Sequence, residues 1–147
     1  MSRSENSLPA EGAAASRLVA PDLVQRDGES LRLRGGRCGE CGALSFPKAQ
    51  VCTECLSLEI QDAILSNEGV LYSYSRVHLA PKGWDLPYVL GYVDLPEGVR
   101  VLAHIDDKKS APVVGARVRM REGRVGVSED GVVQTTYVFS PIEGDRS

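Results

Sequence analysis

The segment RCGECGALSFPKAQVCTEC, residues 37–55, carries every cysteine of the chain. Cys38 and Cys41 form one C-x-x-C pair, Cys52 and Cys55 form a second, and ten residues separate them. Two such turns bring four sulfurs to one point, and four thiolates around a divalent ion make a closed tetrahedral site for zinc. Iron accepts the same ligands and is the chemical alternative. A thioredoxin-type motif uses a single pair in a βαβ setting, which this spacing does not match. Catalytic zinc keeps three protein ligands and one open position. Here four cysteines fill the sphere, and His78 and His104, the only histidines, fall on expected strands far along the chain. The expected role of the zinc is structural.

Gly42 follows Cys41 and suits the tight turn, because glycine accepts positive φ without strain. Leu56 holds the equivalent place after Cys55, which predicts a second turn built a little differently. Four thiolates on Zn2+ leave a formal charge of about −2. Arg32, Arg34, Arg37 and Lys48 lie close in sequence and are expected to offset it, with anion binding as the alternative use.

SLRLRGGRC alternates Leu31 and Leu33 with Arg32 and Arg34, the period-two pattern of a half-exposed strand. LSLEIQDAIL also reads as a strand. After Gly69 come VLYSYSRVHL, PYVLGYVDL, a turn at PEG, VRVLAHI, the polar loop DDKKSAPVVG, ARVRM, a turn at EG, RVGVS, a turn at EDG, and VVQTTYVF. No segment sustains a helical period. These short runs predict a mainly β chain with a five- to six-stranded, partly open barrel of the OB type. The expected organisation is an N-terminal arm over 1–30, a zinc ribbon over 31–66, an OB-fold domain over 67–142 and a tail over 143–147. The arm is expected to be mobile or partner-docking, extended or helical, with AEGAAASRLV as its helical candidate.

The 147 residues carry a formal net charge of −3, whereas contacts to nucleic-acid phosphates usually leave a basic imprint, so nucleic-acid binding would need a local basic face. No apolar run approaches the roughly 18 residues that span a bilayer. The N-terminus has Arg3, Glu5 and Glu11 and no apolar h-region, so a secretory signal is not expected. A reducing, cytoplasmic setting follows as the expectation, in which paired cysteines serve metals more than disulfides.

No G-x-S-x-G and no glycine-rich phosphate loop occurs, and the four cysteines are committed to metal. Asp106 and Asp107 read as a solvated loop beside Lys108 and Lys109. Tyr72, Tyr74, Arg76 and His78 fall at period two on one strand, suited to barrel packing or to stacking on bases or an adenine. Arg117, Arg119 and Arg121 form a second stripe, a wet hairpin face or a contact for an acidic partner or phosphates. Trp84 lies in the loop APKGWDLPY, over a barrel mouth or against a partner.

The succession RCGECGALSFPKAQVCTEC, EGVLYSYSRVH, LPYVLGYVDLPEGVRVLAHI, VVGARVRM and YVFSP resembles the zinc-ribbon/OB-fold proteins that accompany thiolases and acyl-CoA enzymes. The likeness covers about residues 30–142. VCTEC lacks the proline many relatives have in C-P-x-C. The resemblance implies a subunit without catalytic groups of its own, in a hetero-oligomer with a thiolase-fold partner. That partner supplies the chemistry, and the small chain helps hold CoA or acyl-CoA and bridges the large subunits. Arg37, Lys48 and Trp84 are then placed near the CoA or the interface, and the tongue GALSFPKAQV, with Phe46, Pro47 and Lys48, is expected to meet the partner or CoA. The alternatives are a single-stranded nucleic-acid-binding ribbon/OB protein and a stand-alone acyl-CoA binder.

Overall fold

The computed structural model describes residues 16–142 other than residue 29. In chain order the elements are β1 (Ser16–Leu18), a 3-10 turn (Pro21–Leu23), β2 (Val24–Asp27), β3 (Ser30–Cys38), β4 (Leu44–Ser45), β5 (Ile60–Ile64), β6 (Glu68–Val77), β7 (Tyr88–Asp94), β8 (Arg100–Ile105), β9 (Arg117–Val127) and β10 (Val133–Pro141). β3 is the spine of the ribbon, antiparallel to β2, β4 and β5. β6, β7 and β8 form an antiparallel meander. β8 meets β10 in parallel, β10 runs antiparallel to β9, and β9 returns to β6. This circuit is the five-stranded OB barrel. β1 runs parallel to the start of β10, with Ser16 opposite Val133.

Period-two alternation makes each strand two-faced. In β8, Val101, Ala103 and Ile105 are buried between exposed or half-exposed Arg100, Leu102 and His104. In β9, Val118 and Met120 are buried between Arg117, Arg119 and Arg121. In β3, Leu31 and Leu33 point inward and Arg32 and Arg34 lie on the opposite face, half-buried. Val24, Leu31, Leu33 and Leu65 belong to the same apolar cluster as Leu71, Val93, Val101 and Phe139. Burying one such side chain contributes roughly 1.5–3 kcal/mol. The ribbon, too small to build a core alone, therefore folds against the barrel's.

Two further contacts close the seam. Phe46 packs edge-on against Tyr137, centroids 5.9 Å apart at 87°, and the Tyr137 hydroxyl donates to the Leu102 carbonyl at 3.1 Å. Arg26 of β2 donates from both terminal nitrogens to the Glu122 carboxylate of β9, at 2.8 and 3.1 Å. Thr135 of β10 donates its hydroxyl to the same carboxylate at 2.6 Å. The Arg26 guanidinium holds the Glu122 carboxyl below the usual carboxylate range.

Several details differ from the sequence expectations. Glu122–Gly123 is not a turn, because β9 runs unbroken through it. Glu122 is engaged by Arg26 and Thr135, and a Cβ on Gly123 would come within 2.7 Å of the Val138 side chain, so this glycine serves close strand approach. β6 changes register between Leu71 and Ser73, which sets Tyr72 outside the regular pairing. Tyr74 and Arg76 pair with Gly91 and Val89, the inward positions of β7, while Tyr72 lies under Arg100 and His78 lies beyond the strand. The four residues do not share one face. The described part of the arm is extended or 3-10. Residues 10–15 of its helical candidate and the tail 143–147 lie outside the described residues. No described helix is long and apolar enough to cross a membrane.

Phe139 is fully covered at the centre of the barrel. Phe139→Ala is expected to cost about 3–5 kcal/mol in urea denaturation, a large share of the roughly 5–15 kcal/mol that keeps an ordinary domain folded. Glu122→Gln is expected to cost about 1–2 kcal/mol at neutral pH. The Glu122 pKa is lower folded than unfolded, so its contribution is full above the ordinary carboxylate value and vanishes as pH falls through the lowered one. Stability curves of wild type and Glu122→Gln should converge as pH falls through that lowered value.

Candidate metal centre and its surroundings

The ribbon brings the four cysteines together in two matching turns. Cys38 donates its amide to Ala43 O at 2.9 Å and accepts Gly42 N–H at its carbonyl at 2.9 Å. Cys52 repeats this, donating to Ser57 O at 2.9 Å and accepting Leu56 N–H at 2.8 Å. Gly42 has φ +79° and Leu56 has φ +66°. The second turn is thus built like the first, and Leu56 takes the left-handed conformation that Gly42 takes freely. Glycine is also needed in β3: a Cβ on Gly36 would lie 2.8 Å from both Ile60 Cγ2 and Lys48 Cγ, so the pair Gly35–Gly36 lets the tongue and β5 close over the spine.

The four Sγ atoms lie within 4.8 Å of one another, with Cys38 to Cys55 and Cys41 to Cys52 each 3.5 Å apart. A tetrahedron with Zn–S bonds of about 2.3 Å has edges of about 3.8 Å, so the donor set fits zinc. Backbone N–H groups face the sulfurs: Cys41 and Glu40 donate to Cys38 Sγ at 3.5 and 3.4 Å, and Glu54 donates to Cys52 Sγ at 3.4 Å. These amides of Cys41 and Glu40 bring the Cys38 thiol down to about 6. The Ser57 amide pulls Cys55 the same way, but Cys38, burial and the other sulfurs outweigh it and push Cys55 up to about 12. Four thiols so crowded shed their protons together only around a cation, which is what bound zinc supplies. Among the described residues the hydrogen bonds to the sulfurs come from backbone amides and not from an arginine or lysine.

The remaining predicted residues fall in two places. Arg37 is exposed on β3, beside Leu44 and Gln61. Lys48 lays its stem over Gly36 and pairs with Asp62 at 3.0 Å. Phe46, expected within the tongue that meets a partner or CoA, is turned into the seam against Tyr137. Trp84 belongs to the barrel, bridging to Gly126 of β9 and packing 5.6 Å from both Tyr88 and His104. Tyr88 and His104 stack at 4.8 Å. This pair went unnoticed in the sequence, because strand register, not spacing, brings the start of β7 beside the end of β8. Both line a cleft of about 270 Å³ with Asp85, Asp106, Arg121 and Arg124. Burial pushes His104 below its ordinary value and keeps it neutral at neutral pH.

The second set of candidates is largely self-satisfied. Arg117 and Arg119 both grip Glu68, at 3.1 and 2.7 Å, and Arg121 grips Asp106 at 2.9 Å. Asp106 is only 11% exposed at its side chain and also accepts from Ser140, and Asp107 takes Arg76 at 2.9 Å. Both aspartates are ion-paired, not a solvated loop. Arg100 covers the Tyr72 ring at 3.6 Å.

Cys52→Ser is expected to abolish stoichiometric zinc binding and disorder the ribbon, seen in metal analysis and in loss of ribbon amide protection. Leu56 is 75% exposed, so Leu56→Gly loses little packing and relieves its positive φ. Denaturation of the zinc-loaded protein should show a gain of roughly 0.5–1 kcal/mol.

Family models match both parts of the chain: the ChsH2 rubredoxin-like zinc ribbon domain over residues 27–61 and the ChsH2 C-terminal OB-fold domain over residues 64–121. The chain is 36% identical over 124 residues to the benzoylsuccinyl-CoA thiolase subunit BbsA of Thauera aromatica, covering 83% of this chain and 86% of BbsA. It is 38% identical over 135 residues to a DUF35 domain-containing scaffold protein of Methanocaldococcus jannaschii, covering 86% and 96% of the two. Among solved structures it is similar to the Ltp2-ChsH2(DUF35) aldolase, with a TM-score of 0.58, 28% identity, and 75% and 84% of the chains covered. Four converging sulfurs, a ribbon fused to an OB barrel, and likeness along nearly the whole described length place this chain in the ChsH2-type (DUF35) zinc-ribbon/OB-fold family.

Proposed function

We propose that this chain is the non-catalytic zinc-ribbon/OB-fold subunit of a thiolase-type acyl-CoA complex, working on aromatic or other complex acyl-CoA compounds. The observation that carries this reading is the similarity to a thiolase subunit, BbsA, across nearly the whole of both chains. The architecture supports it. Structural zinc in a closed four-cysteine site fixes the ribbon, the ribbon shares the barrel's core, and the thiolase-fold partner supplies nucleophile and base. The chain stabilises that partner in a hetero-oligomer and helps hold CoA.

Arg37 and Lys48 on the ribbon and Trp84 on the barrel are the residues we place toward CoA or the interface. Trp84 with Tyr88 and His104 offers ring faces suited to an adenine, and Arg37 and Lys48 offer charges suited to its phosphates. A nucleic-acid role has less support, since Arg117, Arg119 and Arg121 are already held by Glu68 and Asp106.

The test is co-expression with a thiolase-fold subunit of the organism that carries this chain. The expected result is a stable complex whose thiolysis activity falls at least tenfold when this chain is withheld. Trp84→Ala is expected to raise KM for acyl-CoA several-fold with little change in kcat, because it removes binding rather than chemistry. A thiolase fully active alone that never binds this chain would overturn the reading.

A further inference from the structure

The arginines of this protein divide sharply. Outside β3, every described arginine has a carboxylate in reach: Arg17 with Asp130, Arg26 with Glu122, Arg76 with Asp107, Arg100 with Asp94, Arg117 and Arg119 with Glu68, Arg121 with Asp106, and Arg124 with Asp85. Arg32, Arg34 and Arg37, all on β3, have none among the described residues. Acids are not scarce, since the chain holds 20 Asp and Glu against 17 Lys and Arg. The zinc-site sulfurs do not take these arginines either, being served by backbone amides.

Arg32 and Arg34 stand on the face of β3 opposite Leu31 and Leu33, turned away from the shared core. The Nε atoms of both are covered and have no acceptor. The terminal nitrogen of Arg32 reaches the Leu65 carbonyl at 3.4 Å. Packing of the stems, not a counter-charge, thus holds these guanidinium groups. Their cross-strand neighbours are neutral or apolar: Gln25 opposite Arg32, and Ile64, 45% exposed, opposite Arg34. Fixed arginines beside exposed aliphatic surface are the composition of a protein interface, where arginine is enriched.

We propose that the outward face of β3, centred on Arg32 and Arg34, docks an acidic stretch of the thiolase-fold partner subunit. This inference rests on the functional reading above and names the chemistry of its interface. A second copy of this chain is a poor occupant. Most of the described carboxylates of its barrel are committed to its own arginines, and two molecules of net charge −3 repel. A partner with unpaired carboxylates would supply the counter-charge that neither guanidinium finds among the described residues, by charge-assisted hydrogen bonds to the terminal nitrogens.

The test uses the full-length, zinc-loaded chain titrated into that thiolase-fold subunit at low and high salt. Arg32→Glu and Arg34→Glu are each expected to weaken association roughly tenfold or more and to flatten its salt dependence. Lys82→Gln, at a cation already paired with Glu129, should leave it unchanged. Zinc content and melting temperature report whether a variant has merely misfolded, in which case Arg34→Gln and the salt dependence of the wild type carry the decision. Wild-type binding that persists within twofold in the folded variants, with the same salt slope, overturns this inference and leaves the functional reading standing. A wild-type chain that does not bind the thiolase subunit removes both. Arginine-dependent capture of a single-stranded oligonucleotide with no thiolase binding also overturns it.

Discussion

One continuous apolar core holds the ribbon to the barrel, and the other features depend on it. Leu31 and Leu33 on β3 and Leu65 after β5 meet the same cluster as Phe139, Val101 and Leu71. A strand-poor ribbon has little surface to bury, and elements of this size usually need metals or neighbours to fold. Here it has both. Zinc would close the far end of β3, while the near end is sunk in the barrel. β3 is thereby fixed at two points, and what it displays on its outer face is displayed rigidly. Preorganisation of that kind lowers the entropic cost of association.

The tongue between the cysteine pairs illustrates how this core assigns roles. Phe46 is taken inward to Tyr137 and tightens the junction, while Pro47, Lys48, Gln50 and Val51 stay exposed on the tongue. Gly35 and Gly36 make that arrangement possible, because any larger residue would collide with the tongue's return and with β5. The aromatic character that reads from sequence as a contact for something else is spent on internal cohesion.

Much of this was legible in the sequence. The metal site was, because four cysteines at this spacing have few other geometries, and so were the barrel strands, whose alternation survives folding. What was not legible depends on pairing across long distances. β1 forms through contact with β10, and Ser16 finds its partner at Val133. The shift around Tyr72 is set by the register of β7 against β6, which no local pattern encodes. Glu122–Gly123 has the composition of a turn, yet Arg26 and Val138 give both residues strand work. Leu56 was judged by its side chain, whereas the repeated amide-to-carbonyl pattern of the cysteine turn imposes its backbone conformation. The resemblance to a family supplied what spacing alone could not, namely a partner class.

The distribution of charge carries the synthesis furthest. An ion pair on an exposed surface contributes little to stability, about 0–1 kcal/mol. The near-complete pairing of arginines on the barrel is therefore weak as a stabilising device. Its stronger consequence is for recognition. By occupying Glu68, Asp85, Asp94, Asp106, Asp107 and Glu122 with its own cations, the barrel presents a surface with few unanswered charges. Against that background the arginines of β3 are the distinct electrostatic feature of the ribbon. Because β3 shares a core with the barrel, a partner held there also fixes where the Trp84, Tyr88 and His104 cleft points. In the proposed docking, recognition at β3 and the orientation of that cleft would be coupled by packing alone, through the shared core.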